Sequence, residues 1–305
     1  CASKPEPKPE PVITEPVVTE PAIAKADVQA LHEKVLAARK DAFDQGAKDL
    51  YPEEYAAAET RYTAGKGALD QDKLAMAQTE LTAALPLYQE LGDKSARSGA
   101  DKGKTDAQAA RQRALDSKAD AYSSQELKAA DDFLAKAEAA YAAGDYRAAR
   151  EAYAKAAQAF DAADKHAQAS AVKARVDALA FGPMDQGNYQ LAGEKLALAQ
   201  EKISTQPSNA ADAAAEALLR YNLVLAKGWE LSAGQRKAEV EKVKTDSEAI
   251  KAQVAVKDAY AEAVTAYQNA EYAYTAGKFQ ESVALYAKAK QLFDAVYRQA
   301  ADKRA

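Results

Sequence analysis

Apolar residues recur along most of the 305-residue chain at steps of three and four positions. Such steps place the apolar residues on one face of an α-helix, whereas a half-buried strand needs strict alternation. No alternating run is long enough to predict a strand. Beyond residue 26 only four prolines interrupt the helical pattern, which favours helices joined by short breaks. The sequence therefore predicts an all-α protein.

One pattern of this kind occurs four times. In its clearest form an aromatic residue or Leu is followed by Ala at +3, large residues at +7 and +14, and a small residue at +10. The copies begin at Leu74, Tyr146, Ala211 and Phe279. All five positions fall on one helical face. The repeat predicts an array of similar helical units, which is also the architecture that a chain poor in large aliphatic residues can form.

A second amphipathic helix is predicted before each copy. Small residues between large ones let two helices approach closely, because the large side chain of one helix fills the space above the Ala of its neighbour. Helix starts are predicted at Pro52 and at Ser123, where Glu126 completes the spacing of a capping box. The matched small position of the four preceding helices is Ala58, Ala130, Ala192 and Ala263.

The turn and second helix of the second and fourth copies resemble the tetratricopeptide (TPR) repeat. Gly stands at the turn in both, where a helix end favours a left-handed residue. The resemblance implies a TPR-like solenoid of about four two-helix units that binds other proteins on a concave surface. It rests on the packing positions Tyr141, Gly144, Tyr146, Ala149, Tyr153, Ala156, Tyr274, Gly277, Phe279, Tyr286 and Ala289.

The period of about 68 residues departs from the 34 that the TPR family has. Each copy therefore has either two long helices or two short helix pairs. Residues 146–179 contain neither Gly nor Pro, which favours long helices. Breaks are predicted instead at glycines in the first and third copies. These are Gly92, Gly99, Gly103, Gly228 and Gly234.

The predicted organisation is a tether over residues 1–25 and a helical domain over residues 26–305, with repeats at about 42–113, 114–176, 177–245 and 246–305. Six of the ten prolines lie between residues 4 and 25, which favours an extended polyproline II spacer over a helix. No run of 18 apolar residues occurs, so no transmembrane helix is predicted.

The first four residues, from Cys1 to Lys4, resemble the start of a mature bacterial lipoprotein, a family that includes spirochaetal members. The resemblance implies acylation of Cys1, which anchors a protein to a membrane through buried hydrocarbon. It also implies a periplasmic location, with the outer membrane favoured over the inner because Ala2 and Ser3 lack the Asp that retains such proteins in enteric bacteria.

Charge and chemistry exclude several classes of function. The 41 basic and 46 acidic residues nearly balance, which argues against a nucleic-acid partner. His32 and His166 have no companions at metal-ligand spacing and are predicted to lie on the surface. No catalytic or phosphate-binding motif occurs. The expectation is a protein that is not an enzyme and needs neither a cofactor nor a metal.

Four aromatic residues are candidates for contact with a protein partner: Tyr62, Tyr267 and Tyr272, which lie beside the repeat positions, and Trp229, the only Trp. Packing between helices is the alternative for each. A basic segment between Lys94 and Lys118 could meet peptidoglycan or anionic lipid, or be a solvated helix face. The predicted function is a protein-binding envelope scaffold. The alternatives are a ligand- or solute-binding component of a transporter and a peptidoglycan-associated spacer.

Overall fold

The computed structural model describes residues 23–304 of the chain, and these residues form helices without any strand. The prediction of an all-α fold is confirmed. Of the tether predicted for residues 1–25, the part up to residue 22, with Cys1, lies outside the described residues, and α1 already begins at Lys25. The helices are α1 (Lys25–Asp44), α2 (Ala47–Leu50), α3 (Pro52–Asp70), α4 (Leu74–Asp116), α5 (Ala119–Tyr122), α6 (Ser124–Ala142), α7 (Tyr146–Ala178), α8 (Gln186–Lys202), α9 (Pro207–Ala249), α10 (Ala252–Ala255), α11 (Lys257–Thr275) and α12 (Phe279–Asp302), with a 3-10 turn at Gly182–Asp185.

Each repeat pairs a helix of 17 to 19 residues with a longer one. The shorter helices are α3, α6, α8 and α11, and the longer helices α4, α7, α9 and α12 have 43, 33, 43 and 24 residues. Of the two arrangements open from the sequence, the structure therefore has the long helices. A one-turn helix precedes three of the shorter helices, and the 3-10 turn takes this place before α8.

The predicted breaks at the five glycines are wrong, because α4 and α9 run through all of them. These glycines include positions of close helix approach. A Cβ atom added at Gly103 would lie 3.1 Å from Tyr153 Cβ, and one at Gly228 would lie 2.1 Å from Phe181 Cδ2. A glycine inside a helix costs only about 1 kcal/mol relative to Ala, so the contact with an aromatic side chain outweighs the weak helix propensity.

The described chain divides into two compact units at residues 98 and 99. The first unit holds one three-helix bundle, which we call the first bundle, made of α1, α3 and the start of α4. Its core joins Val28 and Val35 of α1 to Ala58 of α3 and to Leu81 and Tyr88 of α4. All five side chains are buried, so the bundle has a continuous core of its own.

The second unit holds three further bundles, and consecutive bundles share a long helix. The second bundle consists of the end of α4, α6 and the start of α7; the third, of the end of α7, α8 and the start of α9; the fourth, of the end of α9, α11 and α12. Val176 of α7 packs in the third bundle, whereas Tyr153 of the same helix packs in the second. A long helix thus supplies one face to each of two cores.

The four matched alanines Ala58, Ala130, Ala192 and Ala263 are all fully buried, as their role in helix approach predicts. The register predicted for the third copy is wrong by one helical turn. Its fully buried residues include Ala210, Ala214, Ala217 and Tyr221, while Leu218 lies at the edge. A pattern of three- and four-residue steps nearly repeats after one turn, so an Ala-rich stretch fits more than one register.

Left-handed residues end the helices at matched places. Gly144 and Gly277 have φ angles of 78° and 73°, which confirms their predicted place at the helix end. The first copy has Asp72 at the same turn, with a φ of 53°. The backbone N–H of the next residue then bonds back across the turn in all three copies, so the turn closes in the same way with and without glycine.

Candidate functional site

Trp229 lies on α9 beside the turn that precedes α8. The ring of Phe181 meets the indole edge-on, with 5.1 Å between centroids and an interplanar angle of 88°. Gly228 provides the space for the Phe181 ring, since any side chain there would overlap it. The indole Nε1 is buried and has no hydrogen-bond partner in residues 23–304. Trp229 thus packs against Phe181 through its ring and makes no hydrogen bond through its indole nitrogen in the described part of the chain.

A groove of about 630 Å³ lies on one side of Trp229. Ala226 and Trp229 form its α9 side, and the first turns of α12 form the other, with Phe279 and Ala284 as apolar lining and Lys278 and Glu281 as charged residues. Among the described residues, no side chain caps the start of α12. We call this the Trp229 groove. Its lining suits an apolar side chain flanked by polar groups, as at many protein-binding surfaces.

An exposed apolar stripe on α9 leads toward this groove. Leu219 and Leu223 are 59% and 46% exposed, and Ala226 of the groove follows Leu223 by three residues. Steps of four and three place these residues on one helical face. The two leucines were not among the residues predicted from the sequence, although their spacing, which places them off the buried face of the helix, indicated exposure. Exposed large apolar residues on the helical face that leads to a groove are typical of an interaction surface.

The structure places Tyr62 in the first bundle, where its ring is partly buried. The ring of His32 stacks on it at 5.8 Å between centroids, and the Arg39 guanidinium lies 5.2 Å from its centroid. The predicted surface position of His32 is therefore only partly right, since its ring covers Tyr62. Two residues of its own bundle thus contact the Tyr62 ring.

The two other tyrosine candidates differ from one another. Tyr267 packs in the fourth bundle, and its hydroxyl donates to Glu241 at 2.8 Å. Burial raises the pKa of Tyr267 well above its usual value, and the hydrogen bond to Glu241 is the second-largest cause of this increase. Tyr272 is 74% exposed on α11. Trp229 and Tyr272 therefore lie where a partner could reach them, whereas Tyr62 and Tyr267 contact their own bundles.

The packing positions predicted for the second and fourth copies lie in the cores of their bundles or in contact with one another at the helix ends. Ala149, Tyr153 and Ala156 of α7 and Tyr286 and Ala289 of α12 are fully buried. The aromatic residues at the helix ends lie edge-on to one another, with 5.3 Å between the centroids of Tyr141 and Tyr146 and 5.4 Å between those of Tyr274 and Phe279.

A charged cluster lies partly buried in the first bundle. The Arg39 guanidinium donates to both oxygens of Glu59, at 2.5 and 2.9 Å, and the Tyr88 hydroxyl donates to Glu59 at 2.6 Å. The hydrogen bonds from Arg39 lower the pKa of Glu59 below its ordinary range, although burial acts in the opposite direction. This carboxylate is fully partnered, so its role is to hold three helices together.

A second cluster, in the second bundle, is more deeply buried. His166 is buried on α7, so its predicted surface position is wrong. Its Nδ1 lies 2.6 Å from Ser123 Oγ, and its Nε2 lies 3.6 Å from Glu126 Oε1. This Glu126 oxygen has no hydrogen-bond partner among residues 23–304. Burial lowers the pKa of His166, while the Glu126 carboxylate acts to raise it. The predicted capping box at Ser123 is also wrong, because this hydroxyl contacts the imidazole instead of capping α6.

The chemistry available to this second cluster is limited by access. A nucleophilic serine must reach a substrate, yet Ser123 is only 2% exposed. Glu126 and His166 are buried with it. The cluster therefore specifies packing at the junction of α5, α6 and α7.

Several residues of the basic segment are paired with acids. Lys94 contacts Glu54 at 2.8 Å within the first unit, and Arg111 contacts Asp131 at 2.7 Å within the second. Lys102 pairs with Asp106 one turn along α4. These contacts reduce the charge that the segment offers to an anionic surface.

Among residues 23–304, no three His, Cys, Asp or Glu side chains are grouped so that they could hold a metal ion. Within the same residues no helix is both long enough and apolar enough to span a membrane. No protein-family model matches the chain, and searches of curated proteins and of solved structures likewise found no match.

Proposed function

We propose that this protein is a non-catalytic envelope lipoprotein, anchored in a membrane through Cys1, whose TPR-like helical repeats form a scaffold for a protein partner. The observation that carries the proposal is the Trp229 groove together with the exposed Leu219 and Leu223 beside it. A rigid aromatic side chain at the edge of an apolar groove is the kind of residue that contributes most to binding between proteins.

The sharing of long helices between bundles also supports a scaffold function. Repeated helical units that share long helices present faces of neighbouring bundles side by side, and proteins built in this way use such surfaces for binding. Lys278 and Glu281 in the groove form an ion pair with each other at 3.7 Å, so they offer little net charge, which disfavours a highly charged polymer as the partner.

In-cell photocrosslinking tests the partner-binding part of the proposal. A photoreactive amino acid in place of exposed Ala226, inside the groove, should capture a defined protein, identified by mass spectrometry. The same substitution at Ala139, an exposed alanine of α6, is the matched control and should capture none. Leu223→Asp should abolish capture from position 226. Equal capture from both positions would contradict the proposal.

Membrane fractionation tests the anchor. Cys1→Ala, exported behind a signal peptide whose cleavage does not require lipidation, should move the protein from the membrane to the soluble fraction. Unchanged fractionation would contradict lipidation of Cys1. This experiment is independent of crosslinking, so each half of the proposal can fail alone.

One observation favours the solute-binding alternative. A second cavity, of about 480 Å³, lies at the turn before α8, lined by Asp177, Pro183 and Tyr189 among others. Recovery of a bound small molecule with the protein, and of no crosslinked partner, would make this alternative the better one. Cosedimentation with purified sacculi would instead support the peptidoglycan-associated spacer.

A further inference from the structure

His166, Ser123 and Glu126, which we call the His166 cluster, have one contact that is made and one that is open. The imidazole Nδ1 lies 2.6 Å from Ser123 Oγ, within hydrogen-bond distance, whereas Nε2 lies 3.6 Å from Glu126 Oε1, which is too long. His166 and Glu126 are only 8% and 3% exposed, and this Glu126 oxygen has no hydrogen-bond partner among residues 23–304. A buried oxygen is stabilised when a donor reaches it, so the open contact is the place where the cluster can change.

A proton on His166 supplies the missing donor. A neutral imidazole carries one N–H group, whereas an imidazolium carries one on each ring nitrogen. Nδ1 can then donate to Ser123 Oγ while Nε2 donates to Glu126. Hydrogen bonds between charged groups of this kind are about 2.8 Å long, so Nε2 and Oε1 must approach by about 0.8 Å. Because the cluster is enclosed by close-packed helices, part of this movement is passed to the first turn of α6, which carries Glu126.

The first turn of α6 also contacts the third bundle. Gln125, the residue before Glu126, accepts a hydrogen bond of 2.9 Å from Gln200 Nε2 of α8. Ile203, directly after α8, is buried in the core of the second bundle. The end of α8 thus packs against the bundle that contains His166, so a movement of Glu126 reaches a contact between two bundles.

The charges around the ring decide when it binds a proton. Burial lowers the pKa of His166 from 6.5, whereas the Glu126 carboxylate favours the protonated ring. The charged groups on the surrounding elements are otherwise exposed, as Lys118, Asp120 and Asp212 are, or paired, as Asp164, Lys165 and Lys202 are. The ring is therefore neutral at neutral pH, and Glu126 is the group that responds when acid protonates it.

We propose that the His166 cluster is a proton-operated switch, in which a proton taken up from solvent by His166 closes the contact with Glu126 and thereby changes the contact between the second and third bundles. The neutral ring corresponds to the open contact, and acid produces the closed one. The proton is the ligand of this site, and the hydrogen bond between Gln125 and Gln200 is the contact that it controls.

Nuclear magnetic resonance of the purified full chain, labelled with ¹⁵N, tests the switch between pH 7.5 and 4.5. The ring nitrogens report the protonation of His166, and the amide signals of Gln200 report the contact between bundles. We expect the Gln200 signals to shift with the same midpoint as the His166 ring. Glu126→Gln removes the charge that favours the protonated ring, so it should lower this midpoint by about one pH unit and reduce the shift of the Gln200 signals.

Gln125→Ala separates the proton site from its effect. Gln125 is exposed, so this variant retains the fold, and His166 should titrate as before while the Gln200 signals no longer follow it. His32→Gln is the matched control, because His32 is the other histidine of the chain, and it should leave the Gln200 titration unchanged.

Four outcomes would each overturn the proposal. These are Gln200 signals that do not follow His166, a midpoint unaffected by Glu126→Gln, a Gln200 response that survives Gln125→Ala, and unfolding of the second bundle before His166 takes up its proton.

Discussion

The first and second bundles each place a carboxylate inside a helical core, but they treat it differently. In the first, Glu59 receives hydrogen bonds from Arg39 and Tyr88. In the second, Oε1 of the more deeply buried Glu126 has no hydrogen-bond donor in the described part of the chain and lies 3.6 Å from His166 Nε2. Two cores built on the same repeat therefore hold one carboxylate with several hydrogen-bond donors, Glu59, and one with an oxygen that lacks a donor in the described residues, Glu126.

The difference shows that the repeat specifies the alanine contacts and leaves the polar interior free to vary. An ionised carboxylate with a guanidinium partner stabilises a bundle, whereas a buried polar atom without a partner loses its hydration and gains little in return. The two sites should accordingly respond in opposite directions to the same substitution.

Glu59→Gln should have the largest effect. The amide keeps the shape of the side chain but removes the charge that holds Arg39, and it should lower the stability of the first bundle by about 2 kcal/mol. Hydrogen exchange of the α3 amides measures this local stability. Glu33→Gln, on the exposed face of α1, is the control and should change it by less than about 0.5 kcal/mol. An unchanged α3 would remove the contrast between the bundles.

Tyr88→Phe should lower the stability of the first bundle by about 1.5 kcal/mol, because it removes a hydrogen bond to a charged acceptor. The matched change in the second bundle is Tyr153→Phe. The Tyr153 hydroxyl is buried and has no partner in the described part of the chain, so its removal should leave stability unchanged or raise it. Thermal unfolding of both variants gives the comparison, and equal losses would contradict it.

Mild acid should weaken the second bundle before the first. Burial lowers the pKa of His166 from its ordinary value of 6.5, so the unfolded chain binds more protons just below that pH. The stability that neutral His166 contributes is present above pH 6.5 and declines as the pH falls, by at most about 1.4 kcal/mol per pH unit. The pKa of Glu59 is lowered from 4.5, so its contribution persists until the pH falls below that value.

Hydrogen exchange between pH 7.5 and 5.5, corrected for the intrinsic rate, separates the two responses. Protection of α6 amides should decrease while that of α3 amides is retained. His166→Gln should remove the pH dependence of α6. A parallel loss in both bundles would show that the acid response does not come from His166.

The smallest effect is expected for Glu126→Gln. A neutral amide relieves the buried charge and can donate toward the imidazole, so the second bundle should gain about 0.5 kcal/mol at neutral pH. A loss of the size expected for Glu59→Gln would mean that the Glu126 charge is partnered after all.

The sequence predicted the part of the fold that depends on the sizes of side chains near one another in sequence and on the geometry of the turns. Ala58 and Ala130 are buried because a small residue between large ones lets a neighbouring helix approach at that point. Gly144 is left-handed because glycine adopts that conformation freely. The tandem similarity of the copies made these positions recognisable.

The remaining features depend on contacts between residues distant in sequence. Gly228 stands inside a helix because a side chain there would overlap the Phe181 ring. His166 is buried where Ser123, between α5 and α6, contacts its imidazole. Neither contact leaves a local pattern. Of the candidate groove, the sequence singled out Trp229 but not Phe279 as a lining residue, since Phe279 also fits a packing position.

The helices shared between bundles constrain how the length of this chain can change. Helix α9 has 43 residues, or about 65 Å at 1.5 Å per residue, and contributes to the third core near its start and the fourth near its end. Inserting one residue midway would rotate one core by about 100° about the helix axis relative to the other. Insertions and deletions are therefore tolerable in the turns, whereas the middle of α9 must keep its residue count.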